Sequence, residues 1–482
     1  MKKRLKNKPH VLLITTDHWP NSLLGVSGHP AIQTPTLDAL ARSGTRFTRG
    51  YSECPVCAPA RKTLMTGRAP RFNESLSLNG LPTLAQTFRD ASYQAYAAGK
   101  LHVYPQRSRI GFDDVLLVEE GRIQDGAVDD YELFLGDRGY AGQQFAHGIS
   151  NNDYFNRPWH LPEDCHQTNW TTQQMVRMIK RRDPTRPGFW YLSYCHPHPP
   201  LAPLQCYMDM YRDIDVDMPY CGEWAQDTEK LPFTLKLIQG KYAHFTEDLI
   251  RSARQAFYAL CTHIDHQLRV VIGTLREEGI LDNTILLFTS DHGDMLGNHG
   301  LWAKRLFYED SANVPMLLVG VAGDERVGHH CIDERLVGWQ DVMPTLLYLA
   351  GLDIPNTVEG IPMIGEERRE WLYGQYGDGE DMEATRMVHE GRFKLIYYAV
   401  GNYFQLFDLQ RDPKELNNLA DSQEHAKVRE RLTNLLVNEF YGTDVNWVQG
   451  DILVGLPDQT YSPSVGPGFS GQRGIHWPYP LL

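Results

Sequence analysis

A cysteine at the predicted start of a helix is the first residue of this sequence that could do chemistry. Cys57, Pro59 and Arg61 stand at alternate positions, and an amphipathic run then continues to Gly67. Proline resists the interior of a helix, so this order predicts a helix that begins near Cys57. An anion held there would meet unpaired backbone N–H groups, the positive end of the helix dipole and a guanidinium. The stretch therefore predicts a nucleophile beside a site for a tetrahedral oxyanion, sulfate or phosphate.

Two other interpretations of this cysteine are available. Cys54 and Cys57 have the C-x-x-C spacing of redox and zinc sites, but no second cysteine pair with metal-ligand spacing follows. A small buried thiol is the ordinary structural role of a single cysteine. That role leaves Pro59 and Arg61 unexplained, as well as the acidic strand ends described next. We therefore favour the nucleophile.

Two apolar strands of the predicted fold end in an aspartate. The run 11–16 leads into Asp17 and His18, and the run 284–290 leads into Asp291 and His292. Continuous apolar runs are typical of strands buried on both faces of a sheet, and open α/β sheets bind ligands at the carboxyl ends of their strands. A cap or turn explains one such acid equally well. The recurrence predicts two carboxylates that face one crevice.

Basic residues follow two further predicted strands. The strand 93–98 leads to Lys100 and His102, and the strand 189–194 leads to His196 and His198. A Lys-x-His pair alone more often lies in a solvated loop, but its position directly after a strand makes it a predicted site element. A histidine flanked by prolines lies in a stiff loop, which suits the orientation of a ligand and equally suits a structural turn.

Composition limits the partners of this chain. Its 482 residues include 47 basic and 60 acidic side chains, a net charge of −13, without a basic run, so we do not expect a nucleic acid partner. A negative protein that binds an anion must build positive potential locally. The sequence contains no stretch of about 18 apolar residues, so we expect no membrane helix. The N-terminal apolar run is too short for a signal peptide, and the eight scattered cysteines form no disulfide framework, so we expect a cytoplasmic protein.

The order of the predicted elements indicates an α/β fold. Helical patterns at 34–44, 83–91, 249–278 and 341–351 alternate with the apolar strands, and 315–319 is a further strand. Residues 104–187 have no regular pattern, and we expect loops that set substrate selectivity there. Shorter polar-alternating segments after about residue 370 predict a small antiparallel sheet. We predict a catalytic domain over 1–370, a C-terminal subdomain with this sheet and a helix over 371–447, and an irregular tail over 448–482.

Together these motifs resemble those of the type I, formylglycine-dependent sulfatases of the alkaline-phosphatase superfamily. The resemblance covers nearly the whole chain in the family's order. It implies an α/β/α sandwich with a large mixed, mostly parallel sheet, and a smaller C-terminal subdomain with an antiparallel sheet. The phrases that carry it are Cys57-x-Pro59-x-Arg61 with Thr66-Gly67-Arg68, Gly99-Lys100-x-His102, Pro197-His198-x-Pro200, Ser290-Asp291-His292-Gly293, and Gly300 to Lys304.

The resemblance also implies a set of site residues. A formylglycine-generating enzyme would oxidise Cys57, and one divalent cation would be bound by Asp17, Cys57, Asp291 and His292. Carboxylate oxygens favour a hard ion, so we expect Ca²⁺, with Mg²⁺ or Mn²⁺ as alternatives. The imidazole of His292 weakens the preference for a hard ion, so zinc is a further alternative. In the implied mechanism the formylglycine hydrate attacks sulfur. The positive side chains of Arg61, Lys100 and Lys304 offset the charge of the sulfuryl oxygens. His198 or Lys304 then protonates the leaving alcohol, and His102 acts as the base that releases sulfate. The implied catalytic residues are Cys57, Arg61, Lys100, His102, His198 and Lys304.

The sequence departs from the commonest pattern of this family at one position. Asp17 is followed by His18, where two consecutive aspartates are usual, and this resembles choline-sulfatase-like enzymes and phosphonate monoester hydrolases. The roles of His18, His196 and Asn79 are left open. We expect hydrolysis of a sulfate monoester of a small molecule or saccharide. The alternatives are a phosphonate monoester or phosphodiester hydrolase with the same nucleophile, and a non-catalytic anion-binding protein. The tail over 448–482 is either an arm in a homo-oligomer or packed on its own domain.

Overall fold

A mixed sheet of eight strands organises the larger part of the computed structural model, which describes residues 8–71, 78, 80–122, 124, 126–450 and 452–462. Across the sheet the strand order is 4-3-5-1-6-7-2-8. In chain order the strands are β1 (His10–Asp17), β2 (Thr45–Tyr51), β3 (Gln94–Gly99), β4 (Asp114–Leu117), β5 (Gly188–Pro197), β6 (Thr284–Ser290), β7 (Met316–Val319) and β8 (Cys331–Gly338).

The centre of this sheet is parallel. β1 pairs in parallel with β5 on one side and with β6 on the other, and β3 and β4 continue the parallel arrangement beyond β5. β7 is antiparallel to both β6 and β2, and β2 and β8 are parallel to each other. The carboxyl ends of β1, β3, β5 and β6 therefore lie at the same edge, and the residues that follow them can meet there.

Helices cover both faces of the sheet. Along β1, Leu12 and Ile14 pack into one hydrophobic core, and Val11 and Leu13 pack into the other, as the alternation of side chains along a strand requires. The α/β/α sandwich implied by the resemblance is confirmed. The helices are α1 (Pro35–Ser43), α2 (Cys57–Thr66), α3 (Leu84–Asp90), α4 (Asp130–Asp137), α5 (Gln167–Lys180), α6 (Gln205–Tyr211), α7 (Glu223–Gln226), α8 (Phe233–Tyr242), α9 (Glu247–Glu277), α10 (Glu309–Ala312), α11 (Val342–Ala350) and α12 (Ala426–Asn438).

A second, antiparallel sheet follows the first. Its strands are β9 (Leu372–Tyr376), β10 (Thr385–His389), β11 (Phe393–Tyr398) and β12 (Tyr403–Asp408), and α12 packs on it. The small antiparallel sheet is as predicted, and the boundaries proposed at residues 370 and 447 stay predictions. The described part of the tail forms a short ribbon, β13 (Val448–Gln449) with β14 (Ile452–Leu453), and Leu456 pairs with Val400 of the same chain.

One sequence-based interpretation is wrong. Residues 104–187 were expected to be irregular, but they contain β4, α4 and the 14-residue helix α5. The buried face of α5 includes Thr168, Asn169, Thr171 and Thr172. Because these side chains are polar, the apolar periodicity that marks a buried helix is weak here. The strand β8 was also missed, since its first half contains three consecutive charged residues, Asp333 to Arg335, and is not buried.

Asp265 joins two helices of this fold. The sequence indicates a solvated or capping charge, and the structure buries its carboxylate, which accepts the N–H groups of Thr36 at 3.0 Å and Leu37 at 2.8 Å in the first turn of α1. We expect Asp265→Ala to lower the free energy of unfolding by about 2 kcal/mol, because one buried and one partly buried N–H group lose their acceptor. Thermal unfolding should show a lower midpoint. Asp248→Ala, at an exposed position of the same helix, should change it less, and equal effects would contradict the capping role.

Candidate active site

The residues that follow four neighbouring strands meet at the carboxyl edge of the large sheet. Asp17 ends β1, and Asp291 follows β6 directly beside it, because Thr16 pairs with Ser290. Lys100 follows β3 and His198 follows β5, while Cys57 begins α2. The two aspartates therefore lie side by side at this edge, as the recurrence of acidic strand ends predicts. The helix α2 also ends as predicted, with Gly67 in the left-handed conformation at φ 63°.

Cys57 lies at the centre of these residues, and its side chain is buried. Its Sγ atom lies 3.5 Å from Oδ1 of Asp17, 3.3 Å from Nε2 of His292 and 3.0 Å from Nζ of Lys304. Burial and the charge of Asp17 raise the pKa of Cys57, but Lys100, Lys304 and His292 outweigh them, so the net shift lowers the pKa. The surroundings of Sγ thus favour negative charge at this atom.

Arg61 holds several strand ends together from inside α2. Its Nε donates to Oδ2 of Asp291 at 3.0 Å, and its Nη1 donates to the carbonyl of Lys100 and to Oγ of Ser193, both at 2.8 Å. Its Nη2 lies 3.8 Å from Oδ2 of Asp17 and has no hydrogen-bond partner among the described residues. Arg61 therefore orients both aspartates and keeps one donor group available to a ligand.

Lys100 lies between two buried carboxylates. Its Nζ forms ion pairs with Asp17 and, at 2.7 Å, with Oε1 of Glu120, and Glu120 is also held by Arg122 at 2.9 Å. Burial alone would raise the pKa of Asp17, but Lys100 and His198 hold it well below its usual range. Glu120 was missed from the sequence. Its signal was an acidic pair, Glu119 and Glu120, after a short strand that was itself not recognised.

Lys304 connects three acceptors around the nucleophile position. Besides Cys57, its Nζ donates to Nε2 of His18 at 2.9 Å and to Nε2 of His198 at 3.2 Å. Its ammonium group therefore lies where it can contact both a nucleophile at residue 57 and a bound ester. This agrees with the expectation that Lys304 and His198 belong to one site.

Two other predicted residues have different surroundings. His102 is partly buried beside Lys100 with φ 55°, and its backbone N–H donates to Glu119 at 2.9 Å. Burial, then the charges of Arg122 and Lys100, hold its pKa well below its usual range, and its Nδ1 has no partner in the described part of the chain. No hydrogen bond between described residues joins His102 to Cys57. His196 contacts the carbonyl of His198 at 3.2 Å, and Asn79 lies outside the described residues.

The donor atoms near Cys57 fit a divalent cation. Ligand atoms of Asp17, His18, Cys57 and His292 all lie within 4.8 Å of one another. Nδ1 of His292 faces the carbonyl of Gly293 at 2.9 Å, so Nε2 is the ring nitrogen directed at the group. Asp291 lies beside it, with Oδ1 3.5 Å from Nε2 of His292.

Cys54 is not part of such a group. Among the described residues, no cluster of metal-ligand type includes it, and burial together with Glu53 raises its pKa. The C-x-x-C interpretation as a redox or zinc pair therefore gains no support from the structure.

Comparison with known proteins gives the family. A family model described as Sulfatase matches residues 9–352, and one described as N-sulphoglucosamine sulphohydrolase, C-terminal, matches residues 297–440. An arylsulfatase of Clostridium perfringens (strain 13 / Type A) is 33% identical over 480 residues, which cover 94% of this chain and 99% of the relative. A choline-sulfatase of Rhizobium meliloti (strain 1021) is 30% identical over 434 residues, 86% of this chain and 83% of the relative.

The solved structures agree in fold. The phosphonate monoester hydrolase of Agrobacterium radiobacter superposes with a TM-score of 0.78 and 24% identity, covering 89% of this chain and 95% of that one. Fold and site thus define a hydrolase of the alkaline-phosphatase superfamily. The chain belongs to the sulfatase family and is an enzyme that hydrolyses sulfate esters. Among the described residues, no helix has the length and apolar character needed to cross a bilayer.

Proposed function

We propose that this sulfatase cleaves a sulfate monoester with residue 57 as the nucleophile, after oxidation of Cys57 to formylglycine. The observation that carries the proposal is the position of Sγ, within 3.5 Å of Asp17, His292 and Lys304. A formylglycine-generating enzyme is the partner that the modification requires. The oxidised side chain supplies a hydrated aldehyde with two hydroxyl groups: one attacks sulfur, and the other allows sulfate to be expelled as the aldehyde re-forms.

The proposed cofactor is one divalent cation. Asp17, Asp291, His292 and the oxidised residue 57 would hold it, and it would supply Lewis-acid polarisation of oxygen atoms. The support is chemical: two buried carboxylates and an imidazole whose free nitrogen faces them are ligands that divalent cations take.

Cations of the chain are proposed to bind the sulfate group. Lys100 pairs with Asp17, and Lys304 contacts Cys57. Nη2 of Arg61, beside Asp17, has no hydrogen-bond partner among the described residues. Preorganised positive groups in a buried site stabilise charge that develops on the sulfuryl oxygens. A protein with a net charge of −13 thereby gains a locally positive site.

Proton transfers are assigned to three residues. Lys304 or His198, whose Nζ and Nε2 lie 3.2 Å apart, is the proposed donor to the oxygen of the leaving alcohol. His102 is the proposed base for the second half of the reaction, since its lowered pKa keeps the imidazole neutral. The bond from sulfur to the alcohol oxygen breaks in the first half, and residue 57 is regenerated in the second.

A comparison of two substrates tests this function. On protein whose residue 57 is modified, we expect kcat/KM for an aryl sulfate to exceed that for the matching aryl phosphonate monoester by at least about tenfold, roughly 1.4 kcal/mol. The 33% identity to an arylsulfatase over nearly the whole chain supports this order. A higher kcat/KM for the phosphonate would support the alternative hydrolase instead. No hydrolysis of either ester would support the anion-binding alternative.

Two further proposals concern the cell and the assembly. We propose that the enzyme is cytoplasmic, supported by its eight cysteines, which all lie in described residues and form no disulfide.

We also propose that the tail over 448–482 contributes to a homo-oligomer. Light scattering on the full chain and on a variant that ends at residue 447 would test the second point, and an unchanged mass would contradict it.

A further inference from the structure

His18 has an unusual backbone conformation at the position directly after Asp17. Its φ is 73°, in the left-handed region that residues other than glycine seldom adopt, and its side chain is 1% exposed. Such a conformation persists where the surrounding structure fixes it, and it often occurs at functional sites. The direction of this imidazole is therefore set by its neighbours.

Asp294 fixes the ring of His18. Oδ2 of Asp294 lies 2.6 Å from Nδ1 of His18 and also accepts the hydroxyl of Tyr154. Its Oδ1 accepts the backbone N–H groups of Leu296 at 3.0 Å and Ala303 at 3.1 Å. Since a carboxylate can only accept, Nδ1 of His18 carries the hydrogen and Nε2 carries the lone pair.

That lone pair is directed at the nucleophile position. Nε2 of His18 lies 3.8 Å from Oδ1 of Asp17 and within 4.8 Å of the ligand atoms of Cys57 and His292. The rings of His18 and His292 meet edge to face with centroids 4.5 Å apart. Each imidazole uses Nδ1 for an oxygen acceptor and turns Nε2 inward, the arrangement of histidines that bind a metal.

We propose that His18 is a further ligand of the cation, and that it makes this site prefer a first-row transition ion such as Mn²⁺ over Ca²⁺. Asp294 and Tyr154 act as positioning residues for it. Ca²⁺ takes oxygen ligands, whereas imidazole nitrogen suits transition ions. Two inward nitrogens beside Asp17 and Asp291 form a mixed set of ligands, which a transition ion fits better than the Ca²⁺ expected from the sequence. The inference rests on the cation of the proposed function.

A competing role for His18 is set by Lys304. Nζ of Lys304 lies 2.9 Å from Nε2 of His18. In this competing role the imidazole accepts that hydrogen bond, orients the ammonium group of Lys304 and does not bind the cation. In that case the cation would have one imidazole ligand, His292. The number of imidazoles on the bound ion therefore separates the two roles.

Pulsed EPR on the Mn²⁺-loaded, matured enzyme measures this number. Electron spin-echo modulation detects nitrogen bound directly to Mn²⁺, and we expect two imidazoles in the wild type and one in His18→Asn. Asparagine tolerates the left-handed conformation, which favours folding of this variant. His299→Asn is the matched control, because His299 is also buried at φ 57° but lies outside the group of ligand atoms. One imidazole in the wild type would overturn the proposal.

Metal competition provides a second readout. After dialysis against equal concentrations of Mn²⁺ and Ca²⁺, the ratio of bound Mn²⁺ to Ca²⁺ should fall at least about tenfold in His18→Asp. Mn²⁺ affinity should fall about 10- to 100-fold in Asp294→Asn, even if His18→Asn fails to fold. An unchanged ratio, or unchanged affinity, would contradict the ligand role. A wild type that hydrolyses an aryl sulfate with one imidazole on Mn²⁺ would refute this inference and leave the proposed function intact.

Discussion

Cys57→Ala should lower kcat/KM for an aryl sulfate by at least about 10⁴-fold, roughly 5.5 kcal/mol of transition-state stabilisation. The reason is that Cys57, in contact with Asp17, His292 and Lys304, occupies the proposed nucleophile position, and the methyl group of alanine cannot attack sulfur. Initial rates with 4-nitrophenyl sulfate, on wild type and variant expressed with a formylglycine-generating enzyme, measure the loss.

Two companion variants make this result specific. Cys54→Ala removes a buried thiol three residues earlier that lies outside the site, and it should keep activity within a few-fold. Cys57→Ser should release no more than one equivalent of 4-nitrophenol per enzyme, because a sulfated serine has no route to expel sulfate.

The mass of the wild-type peptide that contains residue 57 should be about 18 Da below the mass of the same peptide with an unmodified cysteine. Full activity with an unmodified Cys57 would contradict the proposed nucleophile.

The sequence predicts the centre of the site because its signals are local. An apolar run followed at once by an acid identifies both the strand and its end, so Asp17 and Asp291 could be assigned to one edge of a parallel sheet. The parallel pairing of β1 and β6 then brings the two acids together. Cys57 is found by the same logic, since the proline and arginine that identify it are its near neighbours in the chain.

The residues that surround this centre were not predictable in the same way. Glu120 is a site residue because β4 lies beside β3, and a four-residue strand gives little periodic signal. The pair of His18 and Asp294 joins positions 276 residues apart, and nothing near either residue indicates the other. Such contacts depend on tertiary packing, and local patterns alone do not determine them.

Burial explains why so many charges are needed at this site. Asp17, Glu120 and Asp291 are almost fully inaccessible to solvent, and each is paired with a lysine or arginine. Removing one partner would leave an uncompensated buried charge, which costs about 3 to 5 kcal/mol. Variants of Lys100 and Arg61 therefore report on stability and catalysis together, whereas Lys304 bonds to neutral imidazoles and a thiol and is the clearer probe of chemistry.

Lys304→Met should lower kcat/KM about 10²- to 10⁴-fold for an alkyl sulfate and much less for 4-nitrophenyl sulfate. The physical reason is the leaving group: an alkoxide must be protonated as it departs, whereas 4-nitrophenolate leaves without a proton. Lys304 also stabilises charge on the sulfuryl oxygens, and that contribution should be lost equally with both esters. The difference between the two losses therefore isolates proton donation, and steady-state kinetics on both substrates measures it.

Two variants decide which group donates this proton. If His198 is the donor, the selective loss on the alkyl ester should appear in His198→Asn, and Lys304→Met should affect both esters alike. Lys241→Met is the control for loss of a positive charge. Lys241 is exposed, its Nζ lies over the ring of Tyr242, and no hydrogen bond among the described residues joins it to Cys57. This variant should change both rates little. Equal losses on both esters in Lys304→Met and in His198→Asn would show that neither residue is the acid, and that the alcohol takes its proton from water.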